Sequence, residues 1–344
     1  MQNWLVTFNI PKYFNGTLGP RWLFHLTDFR VGVLTTRFAA TMVAIFGVAI
    51  SFRVTAATVR GPAALHQLRW SLRRRALFLY LLGFFFGWAW PGEILHFYGL
   101  FALVASFICT WRNWQLLILG LVVVGAAAMI QLARFRALNQ GLSLWWPWTT
   151  RPDLGRPHGL VADWFVSGTH VLTPWLAFLA IGLLVGRHDL RLRRVRRAMA
   201  TAGVALLAVG YTASSVGTRK FHDRWRFAFR TSQLSRMPLY VVTTIGSTLA
   251  ALALIVTLAE RWRERRVVQA VARAGRVTLT FYLIHGLIAA AYVKYIGHGR
   301  VSFGLTGAFC AVVAYWLMAM VLGNWMERRF GGGPAELIER PLCS

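Results

Sequence analysis

Glu93 and His96 stand three residues apart in the stretch Trp90-Pro91-Gly92-Glu93-Ile94-Leu95-His96-Phe97-Tyr98-Gly99. On a helix that opens after the Pro-Gly turn, this spacing puts both side chains on one face. A carboxylate beside an imidazole fixes its tautomer and raises its basicity, which suits a general base or a nucleophile. The pair also has a purely structural reading. A carboxylate near a helix N-terminus complements the macrodipole, and a histidine can simply bond a neighbouring helix. A second group is Asp163-Trp164 followed by Gly168-Thr169-His170 and Pro174-Trp175; a third is His285, well inside an apolar run. Ionisable groups at membrane depth are expensive, which makes all three groups places to look for function. His285 reads equally as an interhelical hydrogen bond or as part of a pore.

The elements that must hold these residues follow from composition and pattern. Hydrophobic residues make up 57% of the chain and charged residues 14%, where a soluble domain carries about a quarter charged. The apolar residues fall into continuous runs of about twenty, enough to cross a hydrocarbon core of roughly 30 Å as helices and unlike the alternation of strands. Nine runs are expected to span: 36–55, 74–90, 93–111, 115–134, 165–186, 198–217, 238–259, 276–296 and 303–325. The fold class is therefore an all-α polytopic membrane protein. Residues 1–35 form an external segment without a span, 36–327 the bundle and 328–344 a cytoplasmic tail. Gly182 and Gly186, four apart, suit close helix packing.

The net charge of +27 would suggest nucleic acid in a soluble protein; here no nucleic-acid partner is expected. The arginines sit between runs, as the positive-inside rule requires. Arg60, Arg69, Arg73, Arg74 and Arg75 follow the first run, Arg187 to Arg197 the fifth, Arg261 to Arg273 the seventh, and Arg328 and Arg329 the ninth. Alternation places these clusters, and the C-terminus, in the cytoplasm. The Pro91-Gly92 turn and the loop 135–164 then face outside, with Trp145, Trp146 and Trp148 an interfacial belt or else a platform for a sugar or lipid. The segment 218–237 disagrees, since it falls outside yet carries Arg219, Lys220, Arg224, Arg226, Arg230 and Arg236. Either a span is miscounted or these cations serve an anionic ligand or lipid headgroup. The N-terminus also falls outside without a signal peptide, which implies an earlier helix missing from this sequence.

Cys109, Cys310 and Cys343 offer neither a disulfide framework nor a metal spacing, and no metal is expected. There is no Gly-rich phosphate loop, His-Glu-x-x-His motif or nucleophile elbow.

Several blocks together resemble the YeiB-like family of bacterial membrane proteins. The segment from Arg73 to Tyr98, with Trp-Pro-Gly-Glu-Ile-Leu and then a tyrosine, is similar to that family's middle region. Gly168-Thr169-His170 with Pro174-Trp175-Leu176-Ala177-Phe178 and Gly186-Arg187-His188-Asp189-Leu190 resembles its next block. Pro238-Leu239-Tyr240 with Thr244-Ile245-Gly246-Ser247 resembles a third. Ala274-Gly275-Arg276 with Leu279-Thr280 and Tyr282-Leu283 resembles a fourth, and Arg329-Phe330-Gly331 with Gly333-Pro334-Ala335-Glu336 the closing box. The likeness runs in order from about residue 36 to 340. It departs from the family at the opening helix, which has no counterpart here, and at 231–237, where Ser232-Gln233-Leu234-Ser235-Arg236 replaces a His-Ser-Gly-like stretch.

The resemblance implies kinship with transmembrane acyltransferases of the heparan-alpha-glucosaminide N-acetyltransferase type. An acyl-CoA donor would meet Arg187 and Arg276 at the cytoplasmic face, where guanidinium groups pair with phosphates. Arg187 also reads as an anchor for the end of its helix. His96, oriented by Glu93, would be the base or acyl carrier, with Tyr98 or His170 polarising the carbonyl or guiding the acceptor. Membrane lipid is the expected surrounding, and an envelope sugar, a glycolipid or a small molecule the acceptor; oligomeric state is left open. The alternatives are a proton-coupled transporter or flippase using the same histidines, and a non-catalytic membrane partner.

Overall fold

The structure, a computed structural model, describes residues 20–27, 37–90, 92–140, 157–168, 170–221, 223–232, 235–297 and 304–343. The expectations for residues 1–19, for the tryptophans of the loop at 145–148 and for Thr169 lie outside them. Among the described residues the secondary structure is helical throughout. In chain order the principal helices are α1 (Arg37–Arg60), α2 (Pro62–Ala89), α3 (Leu95–Ile108), α4 (Asn113–Asn139), α5 (Leu172–Val185), α6 (Arg193–Lys220), α7 (Pro238–Arg261), α8 (Arg266–Ala274), α9 (Thr278–Ala291), α10 (Gly304–Phe330) and α11 (Pro334–Cys343).

Each of the nine expected runs is helical in its centre. Among the described residues six helical stretches are long and apolar enough to cross a membrane: Arg37–Arg60, Asn113–Ala137, Arg193–Lys220, Pro238–Arg261, Arg266–Ala291 and Thr306–Phe330. The other three runs differ for local reasons. Helix α2 starts back at Pro62 and carries the basic stretch from Arg69 to Arg75 along its length. Helices α3 and α5 have 14 residues each, or about 21 Å at 1.5 Å per residue. In the fifth run the chain leaves the α-helix before α5, because Asp163–Ser167 forms a π-helical turn that ends at Gly168.

The chain divides into two compact units. The first takes residues 1–35, 81–96 and 258–344, the second 36–80 and 97–257. The division passes through α2 and α3.

In the second unit α5 is the central element, and nearly every residue from Leu172 to Leu183 is buried. Lipid is as apolar as leucine, so helices in a membrane gain most from close backbone approach. Helices α1 and α5 achieve it through small residues. A Cβ added at Gly47 would lie 2.6 Å from the Leu179 carbonyl oxygen, and one at Gly186 would lie 2.8 Å from that of Val48. At Gly182 it would collide with the Ala44 carbonyl. The expectation for the Gly182/Gly186 pair is met. Helices α6 and α7 repeat the device, with Gly203 and Gly246 each against the other's carbonyl oxygen. Polar seams supplement the packing: Thr41 and Thr248 hydroxyls bond at 3.1 Å between α1 and α7.

In the first unit α8, α9 and α10 pack together. Asn324 accepts from Arg273 Nε at 2.7 Å and donates to the Ala270 carbonyl at 2.9 Å, tying α10 to α8. The Tyr315 hydroxyl donates to the Phe281 carbonyl, tying α10 to α9. Helix α10 ends at Gly331, whose φ of +72° is the left-handed conformation that closes many helices. The chain then returns as α11, whose buried Glu336 and Glu339 face the unit.

Candidate active site

The end of α2, the residues Gly92 to Ile94 and the start of α3 build the candidate site within the first unit. Gly83 lets the two helices close up. A Cβ there would stand 2.7 Å from Glu93 Oε2 and 2.9 Å from the Leu95 carbonyl carbon. Glu93 is only 4% exposed, and both of its carboxylate oxygens are committed. Oε2 accepts from the backbone amides of Leu95 at 2.7 Å and His96 at 3.4 Å. These amides belong to the first turn of α3, where helical partners are lacking. Oε1 contacts Nδ1 of His96.

One carboxylate thus performs both jobs expected of it. It caps α3, complementing the positive end of the helix dipole, and it orients the imidazole. With Nδ1–H donating to Oε1, the basic lone pair lies on Nε2. The His96 side chain is 17% exposed, so the ring is held without being sealed.

Tyr282 was missed as a site residue. Its hydroxyl accepts the Ile94 amide at 2.8 Å, completing the capping of α3 from a helix nearly two hundred positions away. Around it, Phe86, Trp90 and Ala289 form a buried cluster, and Gly286 makes room for the Phe86 ring. The Trp90 indole N–H is buried there without an acceptor among the described residues. His285 joins the same face of α9, its ring 4.9 Å from that of Tyr282 and 6.4 Å from that of Tyr315. The one signal in the sequence was that Tyr282 precedes His285 by three, one helical turn.

Tyr98 and His170 belong to the second unit. Tyr98 packs edge-on between Phe46, at 5.6 Å, and Phe101, at 6.0 Å. His170 lies 4.3 Å from the Trp175 ring and 6.1 Å from that of Phe97. The loop before it is fixed by Thr173, whose hydroxyl donates to the Phe165 carbonyl at 2.8 Å. It is fixed further by Arg236, which donates to the carbonyls of Val166 and Gly168, both at 2.6 Å.

The two arginines expected to meet phosphates are both engaged. Arg187 reaches the C-terminal end of α3, donating to the Trp111 carbonyl at 2.5 Å, the Cys109 carbonyl at 3.4 Å and the Asn113 side chain. A cation there complements the negative end of the helix dipole, which fits the anchoring reading. Arg276 Nε donates to Glu327 Oε1 at 2.6 Å, while its side chain stays 57% exposed.

These helices and their buried polar contacts define a multi-pass membrane protein. Residues 176–344 match the family described as "Protein of unknown function (DUF418)", a likeness consistent with a YeiB-like domain. The match takes in α6 to α11 and three of the resembling blocks, and it begins after Glu93, His96 and His170. Comparison with the curated proteins and with the solved structures finds no match to this chain.

Proposed function

We propose that the chain is a membrane-embedded acyltransferase of the bacterial plasma membrane, with nine spans and a cytoplasmic C-terminus. The observation that carries the reading is the Glu93–His96 pair, a buried carboxylate holding Nδ1 of a partly accessible imidazole. An acyl-CoA donor enters from the cytoplasmic face, its phosphates drawn to Arg276, whose side chain is 57% exposed. The acceptor is a sugar, lipid or small molecule at the envelope side. His96 Nε2 takes the proton from the acceptor hydroxyl or amine as its oxygen or nitrogen bonds the thioester carbonyl carbon. The carbon–sulfur bond then breaks, and the thiolate leaves as CoA thiol with that proton.

The test follows labelled acyl groups from CoA into envelope lipid and sugar, in cells with and without the gene. Transfer that depends on the gene and vanishes in His96→Ala supports the proposal; gene-independent labelling refutes it. One observation favours a second reading, proton-coupled transport. His285 lies within a span between Tyr282 and Tyr315, an arrangement that suits a proton relay.

A further inference from the structure

From the end of α7 to the start of α8 the chain reads Arg261-Trp262-Arg263-Glu264-Arg265-Arg266, four arginines against one carboxylate, all six side chains exposed. A tight turn folds this stretch, closed by the Arg265 amide on the Trp262 carbonyl at 2.9 Å, and the Gln269 amide donates to the Arg265 carbonyl as α8 begins. Helix α8 has two unlike sides. Arg266, Gln269 and Arg273 share one of them, and Val267, Val268, Val271 and the alanines take the rest. Helix α10 covers only part of that apolar arc. A Cβ at its Gly323 would stand 3.2 Å from the Ala274 Cα, and its Asn324 holds Arg273 and the Ala270 carbonyl. Val267 is left 67% exposed and Val271 52%, with Trp262 45% exposed in the turn before them.

Helix α8 is not needed to cross the membrane. The 3₁₀ turn Gly275–Val277 interrupts the helix, and Val277 leaves the helical region at φ −116°, ψ +27°. Beyond it, α9 with the π-helical turn Tyr292–Gly297 is about 30 Å long, the thickness of a hydrocarbon core. A short helix at the end of a span, apolar on one side and flanked by arginines and a tryptophan, has the composition of an interfacial helix. Its valines suit the acyl boundary and its cations the phosphates above, and a basic segment beside a span attracts anionic lipid.

We propose that α8 and the turn before it form, within the first unit, a docking surface for anionic phospholipid headgroups, with Val267 and Val271 seated at the acyl boundary and Arg263, Arg265 and Arg266 on the phosphates. The surface does not rest on acyl transfer.

The test uses the full chain in nanodiscs, carrying Cys310→Ala to remove the exposed native thiol and a spin label on Val267→Cys, Val271→Cys or Gln269→Cys. Gln269 is exposed too, but lies about 160° round the helix from Val271. In mixed phosphatidylcholine and phosphatidylglycerol, oxygen should dominate collisions with the labels at positions 267 and 271, and an aqueous nickel chelate those at 269. Raising the phosphatidylglycerol fraction should draw the labels at 267 and 271 deeper. Arg263→Gln and Arg265→Gln should each raise the fraction needed for half of that change by about fivefold, the size of one arginine's attraction to an anionic surface. Equal access of the nickel chelate to positions 271 and 269 overturns the proposal, and so do depths that ignore phosphatidylglycerol. Shielding of position 271 from both reagents also overturns it, since a protein partner or a second copy would then cover this face.

Discussion

Thr280 and Glu336, 56 positions apart, are joined by two hydrogen bonds. The Thr280 amide donates to Oε1 at 3.1 Å and its hydroxyl to Oε2 at 2.5 Å. The same hydroxyl accepts the Ala335 amide at 3.1 Å. Thr280 lies in the first turn of α9, so the carboxylate of α11 caps α9 from a distance. Gly333 is required beside it, since a Cβ there would stand 2.5 Å from Glu336 Oε2. Two of the blocks that resemble the YeiB-like family, around Thr280 and around Gly333 to Glu336, are thus two sides of one clasp.

Breaking this clasp should destabilise the first unit. Glu336→Ala removes two acceptors from buried donors, a loss of about 1–3 kcal/mol for each group left unsatisfied. Thr280→Ala should cost less when made in the Glu336→Ala background than alone. Thermal unfolding of the purified protein in a double-mutant cycle measures the coupling, and strict additivity would refute the clasp.

Close packing in the second unit predicts a sharp contrast between glycines. Gly182→Val places new atoms on the Ala44 backbone and should reduce monodisperse protein after extraction, since overpacking costs about 1–3 kcal/mol or more. Gly125→Ala meets nothing within 4 Å and should be neutral or slightly stabilising through helix propensity. Size-exclusion profiles of the two variants compare them directly.

Topology is open to chemical labelling. Cysteines at Arg74, Arg194 and Arg265 should react only from the cytoplasm, and one at Trp146 only from outside, as the distribution of arginines requires. External reaction at position 194 would overturn the orientation or the span count.

The double role of Glu93 separates orientation from capping. His96→Ala should abolish transfer, a loss on the order of 10² to 10⁴ in rate, with stability changed only slightly. Glu93→Gln, whose amide oxygen can still accept, should keep most of the stability and lose part of the activity. Glu93→Ala should lose both, the cap alone accounting for about 1 kcal/mol. Unchanged transfer in His96→Ala would remove the histidine from the chemistry.

The sequence by itself determined whatever is encoded within one stretch of chain. In a membrane the backbone must satisfy itself, so a long apolar run already means a helix, and all nine runs proved helical at their centres. The Glu93–His96 contact and the Gly182/Gly186 face were equally readable, because helix geometry sets which residues three or four apart are neighbours. Tertiary structure alone decided where polar groups find partners across long separations. Tyr282 on the Ile94 amide, Glu336 on Thr280, Arg187 at the end of α3 and Arg236 on the loop at 166–168 carry no local pattern that announces them. Each is a buried donor or acceptor satisfied by whichever helix the packing brings near, and that choice belongs to the whole bundle rather than to any one segment.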